Sequence, residues 1–262
     1  MNNTFKILGS GAGPGVPSFF CDCVGCQTAH SEPSFARTRS GAFITTENYH
    51  LLVDMPPDLR AQLIREKIAL IDQIFLTHWH YDHFGGLGEL EYYVKLQRGT
   101  PLPLYLPPSA MERFQLAFPD WLDIFTIGPW EFFKTYRFDS LTITPLPANH
   151  SVETAGFLVE TASKRLAYFP DTAGLPEESL RRVEGVDWFV GDATFFGSNW
   201  FPHSHMSVDE TVDLGRRIKA RQIVLTHLSI HYSRPMSKEM LQAIPCRNPD
   251  VLIASDGMSF TL

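Results

Sequence analysis

The chain has 262 residues, of which 44% are hydrophobic, so it is long enough to bury a sizeable core. Its formal net charge is −7, and an acidic chain is poorly suited to non-specific nucleic-acid binding, which needs a basic face. No apolar run approaches the ~18 residues of a membrane span, and the amino-terminal segment lacks the basic and apolar regions of a signal peptide. We therefore expect a single cytoplasmic domain over residues 1–262, with no membrane and no nucleic-acid polymer as partner.

The first half of the chain predicts strands that alternate with helices. An apolar run at its start predicts a strand, which leads into a loop rich in glycine and proline. Apolar spacing then predicts a hairpin, a helix with Leu59, Leu63 and Ile64 on one face, and a buried strand that ends at His78. The predicted strands lie at 4–8, 42–45, 50–53, 73–77 and 104–106, and the predicted helices at 58–67 and 87–98.

The second half of the chain repeats this alternation. It predicts strands at 141–146, 155–160, 165–169, 186–192 and 222–226, and a helix at 207–220 that Ser207 and Glu210 open as a capping box. Mixed strands and helices in both halves favour a layered α/β fold with sheet packed on sheet and helices outside. Four polar residues each follow a predicted strand, where loops can converge at one edge of a sheet. They are His78, His150, Asp171 and His227.

The segment T-H-W-H-Y-D-H-F-G-G-L, from residue 77 to 87, holds the densest group of metal-ligand side chains. The ligand types within it are His78, His80, Asp82 and His83. Imidazole and carboxylate together suit zinc, manganese or iron. Four such ligands so close together are more easily divided between two ions than placed on one. Gly85 and Gly86 are expected to let the chain turn sharply into the next helix.

Three of the four cysteines form the cluster Cys21-x-Cys23-x-x-Cys26. In a reducing compartment such crowding indicates metal ligation rather than disulfide bonds. Cys246 stands alone, and we expect it to be a small buried residue.

The motif H-x-H-x-D-H-x-x-G-L after a strand resembles the signature of the metallo-β-lactamase superfamily. Later pieces follow in the expected order: Asp54 closes L-L-V-D, His150 follows a strand, Asp171 lies in F-P-D-T-A-G and His227 in V-L-T-H. The resemblance implies an αββα sandwich of two mixed sheets flanked by helices. It also implies a metal pair with Asp171 as the bridging ligand. One ion would be bound by His78, His80 and His150, and the other by Asp82, His83 and His227. We interpret Asp54 as a supporting carboxylate rather than a ligand.

A closer resemblance, to the PhnP family of phosphoribosyl cyclic phosphate phosphodiesterases of phosphonate breakdown, covers most of the chain. Its segments are G-V-P from residue 15, the cysteine cluster, P-D-T-A-G-L-P from residue 170 and D-G-M from residue 256. It implies two divalent ions, manganese before zinc or iron, and a structural zinc on Cys21, Cys23 and Cys26. The family's fourth zinc ligand falls at Ile230, so we expect His231, with Cys246 in reserve. The family also suggests a homodimer.

The segment Ser204-His205-Met206-Ser207 resembles the H-x-S/T element that phosphodiesterases of this superfamily place over the phosphate. The resemblance implies that His205 binds phosphate or protonates the leaving group, and we count it with Asp82 as the catalytic residues. The alternative is that His205 is a loop histidine before a helix capped by Ser207. His203 is a weaker candidate for the same role.

The sequence therefore predicts a metal-dependent hydrolase whose partner is a small phosphodiester. The expected substrate is 5-phosphoribosyl 1,2-cyclic phosphate or a 2′,3′-cyclic nucleotide, attacked by water that two metals activate. One alternative is another hydrolase on the same fold, such as a thioesterase, a lactonase or a tRNA 3′-end nuclease, although the glycine- and lysine-rich arm of the tRNA enzymes is missing. The other is a non-catalytic metal-binding carrier resembling PqqB. Such a carrier need not keep all seven ligands, which this chain does.

Overall fold

A computed structural model describes residues 3–232 and 234–262 as two β-sheets flanked by helices. The strands are β1 (Thr4–Gly9), β2 (Gly41–Thr45), β3 (His50–Val53), β4 (Gln73–Phe75), β5 (Leu102–Leu106), β6 (Phe125–Pro129), β7 (Tyr136–Phe138), β8 (Leu141–Ala148), β9 (Thr154–Glu160), β10 (Arg165–Phe169), β11 (Trp188–Asp192), β12 (Gln222–Thr226), β13 (Val251–Ile253) and β14 (Ser259–Thr261). The α-helices are α1 (Val24–Ser31), α2 (Leu59–Arg65), α3 (Tyr81–Phe84), α4 (Glu91–Tyr93), α5 (Met111–Ala117), α6 (Glu177–Val183), α7 (Val208–Arg217) and α8 (Lys238–Arg247).

Each sheet has seven strands within the described residues, in the orders β14-β1-β2-β3-β4-β5-β6 and β13-β12-β11-β10-β9-β8-β7. In the first sheet β3 to β6 run parallel, while β1, β2 and β14 pair antiparallel. In the second sheet β10 to β13 run parallel and β7 to β10 pair antiparallel. Both sheets are therefore mixed, and the predicted αββα sandwich is confirmed.

The inner strands β3, β10 and β11 bury both of their faces, which explains their nearly continuous apolar sequences. In β3, Leu51 and Val53 lie in the core between the two sheets, whereas Leu52 points to the opposite face and packs in a separate outer core. The inter-sheet core is rich in aromatic rings. The ring centroids of Phe75 and Phe157, which come from opposite sheets, lie 5.7 Å apart. Both faces being buried, the strand ends carry the polar side chains.

Most predicted elements are present, with shifted ends. The capping box of α7 forms as expected, since Ser207 accepts from the Glu210 amide and the Glu210 carboxylate accepts from the Ser207 amide. Residues 87–98 are helical but irregular, because short 3₁₀ and π turns flank α4. Ile64, expected on the apolar face of α2, is 61% exposed, so that prediction is wrong. No described helix combines the length and apolar character that a membrane span requires.

Candidate metal centre

The predicted ligands lie where strands of both sheets end. His78 follows β4 of the first sheet, while His150, Asp171 and His227 follow β8, β10 and β12 of the second. The short helix α3 supplies Asp82 and His83, and His80 is the N-cap residue of that helix. The buried strands hold apolar side chains, so the polar ligands lie on the loops at the strand ends.

The structure brings all seven predicted ligands into two overlapping groups. In each group the candidate ligand atoms lie within 4.8 Å of one another. The first group is His78, His80, His150 and Asp171, and the second is Asp82, His83, Asp171 and His227. Asp171 belongs to both groups, which is the arrangement that a bridging carboxylate requires.

Asp171 is the centre of this cluster and is 3% exposed. Its Oδ2 lies 3.3 Å from His78 Nε2, 3.5 Å from His83 Nε2 and 3.7 Å from His227 Nε2. Burial alone would raise the pKa of Asp171, but His227 and the other surrounding imidazoles hold that pKa well below its ordinary value. The carboxylate is therefore ionised and available as a ligand.

Two buried ring nitrogens of the cluster have no hydrogen-bond partner among the described residues: His83 Nε2 and His227 Nε2. The other nitrogen of each ring is occupied, because His83 Nδ1 lies 2.8 Å from Asp54 Oδ2 and His227 Nδ1 lies 2.9 Å from Thr194 Oγ1. An unsatisfied buried polar atom is costly, and a cation would satisfy both nitrogens. The residues present thus fit a metal pair.

Asp54 lies beside the cluster and belongs to neither group of candidate ligands. It is fully buried, and it also accepts a hydrogen bond from the Thr77 amide at 2.8 Å. Its backbone, like that of His227, has a positive φ, at 63° and 53° respectively. Such strained backbone positions occur where a site fixes the direction of a side chain.

His205 reaches the cluster from the loop before α7. Its Nδ1 lies 2.9 Å from Asp171 Oδ1 and 3.0 Å from Asp192 Oδ2. Burial would lower the pKa of His205, but these two carboxylates raise it to about 10. His203 is instead exposed and does not line the cavity over the site.

Asp192 was not singled out from the sequence. It ends β11, and its Oδ1 accepts from the Thr194 amide at 2.8 Å while its Oδ2 accepts from the Thr172 amide at 3.0 Å. These contacts fix the carboxylate that faces His205. The available signal was an aspartate closing an apolar strand, as Asp54 does in β3.

A cavity of about 220 Å³ opens over the cluster. The glycine-rich loop at residues 12–14 forms one side, and Phe195, Phe201 and Tyr232 form another. Gly86, near the end of the motif, is closely packed, because an added Cβ would be 2.1 Å from the Pro56 carbonyl oxygen. Its φ is −94°, so close packing rather than a special turn requires this glycine.

The cysteine cluster and the predicted fourth ligand, His231, lie together and form a second candidate metal site. The four candidate ligand atoms of Cys21, Cys23, Cys26 and His231 lie within 4.8 Å of one another, and His231 Nδ1 is 3.2 Å from Cys26 Sγ. His231 Nε2 also lies 2.7 Å from the Gly15 carbonyl oxygen, which would orient the ring. Cys246 is exposed near the end of α8, so its predicted burial is wrong.

The chain resembles known proteins in sequence and in fold. A sequence profile described as the beta-lactamase superfamily domain matches residues 49–228. Coenzyme PQQ synthesis protein B of Methylorubrum populi is 31% identical over 220 residues, which cover 72% of this chain and 72% of that protein.

Two solved structures share the architecture over nearly the whole chain. A diphosphatase from the PhnP family superposes with a TM-score of 0.86 at 26% identity, covering 100% of this chain and 98% of that chain. Zn²⁺-bound PqqB from Methylobacterium extorquens gives a TM-score of 0.81 at 22% identity, with coverage of 99% and 100%, and that likeness concerns the fold alone. With its two-sheet sandwich, its motif order and a profile match over more than half of its length, the chain belongs to the metallo-β-lactamase superfamily.

Proposed function

We propose that the chain is a phosphodiesterase that binds two divalent cations and hydrolyses a small cyclic phosphodiester. The observation that carries the proposal is the convergence of six ligand-type side chains on Asp171, with His83 Nε2 and His227 Nε2 buried and without a hydrogen-bond partner among the described residues. The likeness to a PhnP-family diphosphatase supports a phosphate ester as the substrate.

The cation pair would be held by His78, His80 and His150 on one side and by Asp82, His83 and His227 on the other, with Asp171 shared. When bound there, two divalent cations supply Lewis acidity that generates a nucleophile from water at neutral pH and neutralises charge on phosphate oxygens. We propose manganese as the native metal, and the imidazole and carboxylate ligands also suit zinc or iron.

The residues around the cations would orient the diester and move a proton. Asp54 and Thr194 hold the rings of His83 and His227 through their Nδ1 atoms. His205 lines the cavity and directs Nδ1 at Asp171 and Asp192, which leaves Nε2 to donate a proton to the departing sugar oxygen. His205 would thus act at the leaving-group end of the breaking bond.

A substrate panel with the manganese-loaded protein tests the proposal. It should contain 5-phosphoribosyl 1,2-cyclic phosphate, a 2′,3′-cyclic nucleotide, a thioester and a lactone. We expect turnover of at least one cyclic phosphate and much slower turnover of the thioester and lactone. Preference for the thioester or lactone would contradict a phosphodiester as the substrate.

A non-catalytic carrier of the PqqB kind is the second candidate, favoured by the 31% identity to coenzyme PQQ synthesis protein B. A carrier would bind metal without turning over any member of the panel. Metal analysis beside the substrate panel therefore separates the two functions.

A further inference from the structure

Four aromatic side chains stand beside the cavity, and we name them the aromatic wall: Phe195, Trp200, Phe201 and Tyr232. Phe195 is buried, and its ring centroid lies 6.1 Å from that of Phe201 and 6.0 Å from that of Tyr232. Trp200 extends the group outward, 5.8 Å from Tyr232. Three rings of the wall therefore line the cavity, and Trp200 packs against them outside it.

The outer part of the aromatic wall is exposed to an unusual degree. Phe201 is 59% exposed and Trp200 is 56% exposed, although both rings pack against buried Phe195. Neighbouring exposed aromatics in contact with a polar site are typical of a ligand-binding surface. Because Phe201 and Tyr232 themselves line the cavity, the ligand they face is the ligand of the candidate metal centre.

The same cavity offers no arginine or lysine among its described lining residues, and the imidazole of His205, which does line it, is already paired with Asp171 and Asp192. Arg234 follows closely in the chain, but its guanidinium lies 5.7 Å from the ring centroid of Phe196 and lines a different cleft, between α7 and α8. A phosphate monoester carries a charge of about −1.5 to −2 at pH 7 and is normally held by such cations. A second phosphate on the substrate would thus meet aromatic rings instead of arginine or lysine.

We infer that the aromatic wall is a subsite for a flat, uncharged substituent, so that the preferred substrate is a cyclic phosphodiester bearing an aromatic base and no second phosphate. This inference rests on the proposed phosphodiesterase function. The cavity of about 220 Å³ accommodates the sugar and its cyclic phosphate, and the base stacks on the exposed ring of Phe201, which lines the cavity. Ring faces stack with any nucleobase, so the subsite selects the presence of a base more than its identity.

The test compares three cyclic phosphates with the metal-loaded full chain. They are adenosine 2′,3′-cyclic phosphate, ribose 1,2-cyclic phosphate and 5-phosphoribosyl 1,2-cyclic phosphate. We expect kcat/KM to be highest for the adenosine compound and lowest for the 5-phosphorylated one. Phe201→Ala should raise KM for the adenosine compound roughly 5- to 150-fold, the range of one base–aromatic stack, and leave the ribose compound unchanged.

Two further variants control for unspecific effects. Tyr92→Ala removes an aromatic ring that is 67% exposed on α4 and does not line the cavity, and it should change neither substrate. Phe201→Tyr keeps the stacking face and should keep the wild-type KM. A preference for the 5-phosphorylated compound, or an equal loss on all substrates in Phe201→Ala, would overturn the inference.

Calorimetric binding of adenosine 3′-monophosphate, a ring-opened product, separates this inference from the proposed function. If no cyclic phosphate is cleaved, the phosphodiesterase proposal fails. Weaker adenosine 3′-monophosphate binding in Phe201→Ala than in Tyr92→Ala would still support the aromatic subsite, and equal affinities in the two variants would refute it.

Discussion

Asp54 and His83 form a fully buried pair in which the imidazole Nδ1 lies 2.8 Å from the carboxylate Oδ2. The pair leaves His83 Nε2 directed at Asp171, 3.5 Å away. Burial alone would lower the pKa of His83, but Asp54 and Asp82 raise it well above its ordinary value in the metal-free chain. A cation that binds His83 must therefore displace a proton. Because Asp54 contacts Nδ1, the cation would bind at Nε2.

The Asp54→Asn variant should bind the active-site metals roughly 10- to 100-fold more weakly, the usual loss when a carboxylate that orients a ligand histidine is removed. Asparagine tolerates the positive φ of this position, so the backbone should persist. The readout is metal affinity in a competitive chelator titration. Asp139→Asn is a matched control, because Asp139 also has a positive φ and accepts hydrogen bonds from Thr46 and Asn48 in distant loops. Equal losses in both variants would contradict the role of Asp54.

Asp171→Asn should abolish binding of the active-site pair while the cysteine site keeps its zinc. The variant removes the charge that both ligand groups share, and the amide nitrogen would face His78 and His83. Elemental analysis after desalting gives the metal content per chain, with the cysteine zinc as internal reference. An unchanged active-site metal content would refute the bridging assignment.

His205→Ala should lower kcat by ~10²–10⁴, the usual contribution of a general acid, while the metals stay bound. The matched control is His203→Ala, since His203 lies two residues earlier on the same loop and is exposed. Steady-state kinetics on the cleaved cyclic phosphate and metal analysis are measured together. Full turnover in His205→Ala would exclude the proton-donor role, and a loss confined to His203→Ala would transfer that role to His203.

The pH dependence of stability in the metal-free chain should report the contacts of His205. Its pKa is raised from 6.5 to about 10 by Asp171 and Asp192, so the protonated ring stabilises the fold. That contribution is fully present below pH 6.5 and is lost as the pH rises towards 10. Urea unfolding of the chelator-treated protein across this range should show a steeper fall in the free energy of unfolding for wild type than for His205→Asn. Parallel curves would contradict the assignment.

Cys26→Ser should remove one zinc equivalent and lower the melting temperature, because Cys26 is buried and its Sγ accepts from the Ser18 amide at 3.3 Å. Cys246→Ser replaces an exposed cysteine outside the cluster and should leave both quantities unchanged. Calorimetric melting and zinc analysis are the measurements. Equal zinc content in the two variants would argue against a structural metal at the cysteines.

The layered α/β architecture could be predicted from local patterns, whereas the division of the ligands into two groups was implied by the resemblance to the metallo-β-lactamase superfamily. Apolar runs define the strands, and the order of motifs places His78, His150, Asp171 and His227 at strand ends. Asp192 could be noted as an aspartate that closes an apolar strand, but its contact with His205 could not be predicted, since that contact arises only when β11 and the loop before α7 meet in space. The aromatic wall escaped notice for the same reason, because Phe195 and Tyr232 come from distant segments.

Ile64 and Cys246 show a different limit. An apolar residue at helical spacing is buried only where another layer of the fold covers that side of the helix. Ile64 lies outside the covered side of α2 and is therefore exposed. Cys246 lies at the exposed end of α8. Periodicity gives the direction of a side chain but not what stands opposite to it.

The division of the ligands between the two sheets has a mechanical consequence. His78, His80, Asp82 and His83 belong to the first half of the chain, whereas His150, Asp171 and His227 belong to the second. A cation pair in this arrangement would cross-link the two halves, since any separation of the sheets would break its coordination bonds. Its binding free energy would then oppose global unfolding of the sandwich, so the ions needed for the chemistry would also stabilise the fold that holds them.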